Sequence, residues 1–102
     1  MILVTGHIRL GEGEGEKARA LLARHMADVA AEEGCAFYHF AFDAADPDLV
    51  RISEGWTSAD AIAAYADMPH QKAFGRALRA HDVRDIRVEG WQAEHWRTLI
   101  GG

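Results

Sequence analysis

"CAFYHFAFDAADPDLVRISEGW", residues 35–56, decides the fold. "CAFYHFAFDA" reads as one strand and "LVRISEGW", Leu49–Trp56, as the next, because both are rich in aromatic and branched residues. "DPD" at Asp46–Asp48 carries turn residues between them, and so short a connection makes the pair an antiparallel hairpin. Alternation then sets Cys35, Phe37, His39 and Ala41 against Ala36, Tyr38, Phe40 and Phe42 on opposite faces of the first strand. In the second, Val50, Ile52 and Trp56 oppose Leu49, Arg51 and Ser53. A sheet with one wet face alternates more cleanly than this. The hairpin therefore calls for two covers, helices on one side and something else on the other.

Before the hairpin, Glu14–Glu33 has the spacing of a helix. Ala18, Leu21, Leu22, His25, Met26, Val29 and Ala30 fall on one face, and Gly34 is placed to end it in a left-handed cap. "GEGEGE" upstream reads as a flexible, solvated connector, and Ile2–Leu10 as a first strand. After the hairpin, Thr57 or Ser58 caps a short helix running through Met68. Pro69 starts another, to about His81, with His70, Ala73, Phe74, Ala77 and Leu78 as its stripe. A final extended segment begins near Val83. Two strand–helix–strand units of this kind give an α+β ferredoxin-like sandwich, an antiparallel sheet with helices on one face.

The second sheet face is expected to pack on another copy of the chain, since each buried Phe contributes roughly 1.5–3 kcal/mol relative to exposure. A symmetric homodimer, sheet against sheet, is the simplest arrangement. Residues 91–102 read as a C-terminal extension whose Trp91 and Trp96 reach the partner, the alternative being a tail folded back on its own helices.

The 102 residues make one domain, 49% hydrophobic and 26% charged. Eleven Lys and Arg against 16 Asp and Glu give a charge of −5, which argues against nucleic acid or an anionic membrane as partner. One cysteine, Cys35, allows no internal disulfide, and no run is long enough to span a membrane. A cytoplasmic location is the expectation. Six histidines invite a metal, but none pairs at i, i+4 on a helix and no HExxH or CxxC occurs, so no metal site is expected. Trp56, Tyr65 and Phe74 fall on elements that border the space between sheet and helices, as core or as the wall of a pocket with polar handles. His70, in the first turn of its helix and on the apolar stripe, is either a satisfied helix-terminal ring or a base facing a phenol.

"EEGCAFYHFAFDAADPDLVRISEGWTSADAIAAYADMPHQKAF" resembles the antibiotic biosynthesis monooxygenase family. The likeness is carried by Gly34-Cys35, Tyr38, Asp46-Pro47, Glu54, Trp56, Ala59, Pro69-His70 and Phe74. It implies a dimeric α+β barrel and an oxygenase that acts on a small phenolic or quinol substrate with no flavin, haem or metal cofactor. By that resemblance His70, Tyr65 and Trp56 carry the catalysis, and Phe74, Tyr38, His39, Arg51 and Glu54 contact the substrate. Tyr65 stands where the family often has histidine, and Met68 where a serine cap is common. The related haem-degrading enzymes use a first-strand asparagine and a histidine ligand, and this chain has neither in those places. A non-catalytic dimer binding a small hydrophobic metabolite is the main alternative, and turnover separates the two.

Overall fold

A computed structural model describes residues 1–101. The elements run β1 (Ile2–Leu10), α1 (Glu14–Ala30), β2 (Cys35–Asp43), β3 (Asp46–Trp56), α2 (Ala59–Ala66), α3 (Pro69–Arg79) and β4 (Val83–Gln92). The strands form one antiparallel sheet in the order β2-β3-β1-β4. All three helices lie on one face, as the ferredoxin-like reading requires.

The helix-covered face of the sheet carries Tyr38, Phe40 and Phe42 with Val50, Ile52, Glu54 and Trp56, and register adds Val4 and Ile8 of β1. α1 answers with Ala18, Leu22, His25 and Val29, all buried and spaced by four, three and four residues. The core falls into two clusters. One gathers Ile8, Leu22, Val50, Ile52, Phe74 and Leu78; the other gathers Val4, Val29, Tyr38, Trp56 and Tyr65.

Four local expectations are corrected. The hairpin turns at Ala44-Ala45, and "DPD" opens β3 instead. Pro47 is tolerated there because β1 pairs with β3 only as far as Leu49, so no ladder bond needs its missing N–H. Asp43 holds the turn by accepting the Ala45 N–H at 3.0 Å. α1 stops at Ala30, three residues short of Glu33, and Gly34, at φ +83°, makes a separate turn against Ala61 of α2.

The glycine-rich connector is structured. The N–H groups of Gly13 and Gly15 donate to the Asp48 carboxylate at 3.0 and 2.8 Å, so β3 caps the start of α1. A side chain at Gly15 would strike the Pro47 carbonyl, which explains glycine there. Finally, a bulge around Ala36 pairs Cys35 with Trp56 and turns it to the helix side, against the alternation expected from Phe37.

Trp91 belongs to β4, where its Nε1–H donates to Thr5 Oγ1 at 3.1 Å. From residue 93 to residue 101 the chain is irregular, with Trp96 and Ile100 exposed. Among the described residues, no helix is long and apolar enough to cross a membrane.

Candidate functional site

A cavity of about 310 Å³ lies between the sheet and the α2–α3 pair. Val4, Ile8 and Ile52 floor it, Ile62, Phe74 and Leu78 roof it, and Ile86 and Val88 of β4 form an exposed rim. Its polar groups are Tyr38, Glu54, Tyr65 and Gln71. Strand pairing places Tyr38 opposite Glu54, and the last turn of α2 lowers Tyr65 onto them.

Tyr65 is the hub. Its hydroxyl donates to Gln71 Oε1, lies 2.8 Å from His25 Nε2 and 3.2 Å from the Tyr38 hydroxyl. A hydroxyl has one proton to give. With that proton on Gln71, Tyr38 O–H and the Nε2–H tautomer of His25 both donate into the Tyr65 oxygen. Trp56, fully buried, stacks on Tyr65 with centroids 4.9 Å apart and donates its Nε1–H to Glu54 Oε1 at 2.9 Å. It stands behind the cavity as a support for two of its polar groups.

Burial dominates the electrostatics. It raises both tyrosine hydroxyls well above the ordinary phenol range, so both stay protonated near neutrality. It also pushes the Glu54 carboxyl up, opposed by the Trp56 N–H. His25 is pushed down to about 4, first by burial and then by the neighbouring His70, against weaker opposing effects of Gln71 and Asp28. Its ring stacks face to face on Phe74, 3.8 Å between centroids and 5° between planes.

The structure thus brings Tyr38, Glu54, Tyr65 and Phe74 to one cavity, with Trp56 behind them. It does not bring the rest. His70 lines a second space, a cleft of about 280 Å³ between α1 and α3, shared with Arg24, His25, Asp28 and Phe74. Its Nε2 lies 3.3 Å from Glu32 Oε1 but makes no hydrogen bond, because closeness alone does not supply the needed angle. His39 and Arg51 point to the opposite, open face of the sheet. There His39 stacks on Phe37 and Arg51 donates to Asp43. Two residues at the site escaped the sequence reading as functional groups, His25 and Gln71. A signal existed for His25: an imidazole on a buried apolar stripe needs a polar partner. Among the described residues no group of three or more His, Cys, Asp or Glu is arranged to hold a metal ion.

A family model described as antibiotic biosynthesis monooxygenase matches residues 1–77. No curated protein matches the chain. Among solved structures, the chain is similar to a putative antibiotic biosynthesis monooxygenase from Deinococcus radiodurans, with TM-score 0.91 and 22% identity over 99% of this chain and 100% of that one. It is also similar to PA3566 from Pseudomonas aeruginosa, with TM-score 0.82 and 21% identity over 92% and 94%. Rv0793 from Mycobacterium tuberculosis gives TM-score 0.83 and 18% identity over 95% and 98%.

Proposed function

The chain belongs to the antibiotic biosynthesis monooxygenase family, and from that premise we propose that it oxidises a small phenolic or quinol-type aromatic with O₂, without a bound cofactor. The observation that carries this is the cavity: about 310 Å³, at the small end of ligand pockets, mostly apolar, with hydrogen-bonding groups gathered at one end. An enclosure of about 150 Å³ holds one benzene ring, so this one suits one or two rings. No Lys or Arg lines it, which favours a neutral ligand over an anionic one.

Glu54 is the group placed to take the phenolic proton, since it reaches the cavity and Trp56 fixes its carboxylate. The hydroxyls of Tyr38 and Tyr65 and the Gln71 amide would hold the substrate oxygen, and Phe74 its ring. The reaction balances without an outside reductant. A phenol and O₂ give a quinone and water, one oxygen atom entering the ring carbon and the other leaving with the hydroxyl and ring hydrogens. The protein's part is orientation, proton removal and exclusion of water.

We also propose a homodimer through the open sheet face. Phe37 and Trp91 stand exposed there, and Gly55 leaves room beneath the Phe37 ring. The exposed Trp96, Leu99 and Ile100 would then reach the partner chain.

Oxygen uptake with a panel of hydroquinones and polyphenols tests the reaction. Glu54→Gln should cut kcat/KM about 100-fold, while His70→Ala should change it only severalfold. A larger loss in His70→Ala would return the base to the α1–α3 cleft. No uptake by the wild type, with binding retained, would favour the non-catalytic binder.

A further inference from the structure

We propose that Tyr65 and His25 form a proton path through the helical layer, joining the inner cavity to the α1–α3 cleft. The two spaces lie on opposite sides of a thin wall. Phe74 lines both and offers no proton. His25 lines only the cleft, Tyr65 only the cavity, and their polar atoms meet at 2.8 Å. The Phe74–His25 stack fills the wall, and the hydrogen bond between His25 and Tyr65 crosses it.

The transfer balances. A proton leaving a cavity ligand enters the Tyr65 oxygen. The proton Tyr65 held turns from Gln71 and passes to His25 Nε2, once the ring has exchanged its resting Nε2–H tautomer for the one that carries its hydrogen on Nδ1. The Nδ1 proton leaves to water in the cleft. One proton has crossed, Tyr65 is restored, and His25 is back in its resting Nε2–H tautomer. A neutral imidazole accepts at one ring nitrogen and donates from the other, so a proton can pass through it. The titratable and charged groups around the ring are Arg24 and Asp28 on its own helix, Tyr38 on β2, Tyr65 on α2 and His70 on α3. Burial keeps the ring uncharged at neutrality, so an imidazolium is transient and the proton moves on.

The use of this path in catalysis rests on the oxygenase reading; its existence does not, and the test separates them. In ligand-free, full-length protein, hydroxyl exchange of Tyr65 is measured by NMR from the deuterium isotope shift at its Cζ. The wild-type hydroxyl should exchange faster than the backbone amides of α2 and β3 open. His25→Phe keeps the stack on Phe74 and should slow that exchange at least about tenfold, with amide exchange unchanged. His25→Gln keeps a hydrogen bond to Tyr65 without a tautomeric relay and should slow it equally; it carries the test if the Phe variant does not fold. Unchanged exchange in a folded variant, or wild-type exchange that waits on amide opening, overturns the path. Because neither O₂ nor turnover is involved, slowed exchange beside a failed oxygen-uptake assay would reject the oxygenase reading alone.

Discussion

His25 shows how one side chain ties stability to pH. Its folded pKa, about 4, lies below the unfolded value of 6.5, so the unfolded chain binds more protons between those limits. Its contribution is whole above pH 6.5 and is lost as pH falls toward 4. The full shift is worth about 3 kcal/mol; water in the adjoining cleft screens part of it, leaving about 2 kcal/mol. Glu54 acts in the opposite sense, since its raised pKa favours the folded state at low pH and that advantage fades as pH rises. Comparison with His25→Phe isolates the histidine: denaturant unfolding from pH 4 to 7 should show a shallower rise of stability in the variant. A parallel pair of curves would refute the assignment. Residue chemistry was only half legible in the sequence. Tyr65 and Phe74 could be named from the aromatic pattern, and Tyr38 and Glu54 only through the family resemblance. Gln71 could not, because an amide in the first turn of a helix is unremarkable until Tyr65, six residues earlier, is seen to reach it.

At the scale of elements, the start of α1 is held by a residue 33 to 35 positions away. Asp48 accepts two N–H groups from the glycine turn, a charge-assisted cap that the local pattern cannot reveal. Asp48→Ala should destabilise the protein by about 2 kcal/mol in chemical denaturation, more than the ~1 kcal/mol for Ser58→Ala, whose hydroxyl makes one neutral cap bond to Ala61. Equal losses would mean that the Asp48 carboxylate adds nothing beyond an ordinary cap. The same long-range logic explains the misplaced hairpin turn. "DPD" has turn chemistry, but Asp46 is engaged by Arg9 of β1 and by the Asp48 N–H, which fixes it at the head of β3. The order of strands and helices, by contrast, was fully readable, because hydrophobic period changes visibly from two to 3.6 and back along the chain.

For the molecule as a whole, the sheet presents one face covered by helices and one that is mixed. His7, Arg9, Arg51, Asp85 and Arg87 share the open face with Phe37 and Trp91, so it is less apolar than the hairpin alone suggested. A dimer there would need about 1,200–2,000 Å² in total, with Phe37 and Trp91 at its centre and the charges paired around them. Sedimentation should give about twice the 11.2 kDa chain mass for the wild type, and Phe37→Glu should give the monomer. A monomeric wild type at micromolar concentration would end that proposal. The Phe74 ring, meanwhile, serves two spaces at once. An engineer who trims it to admit a bulkier guest also joins the cavity to the neighbouring cleft and flattens the perch on which His25 rests. Room can be made without that penalty at Ile86 and Val88, on the far lip. Retuning this scaffold for new guests should therefore proceed from the fourth strand inward, leaving the aromatic partition alone.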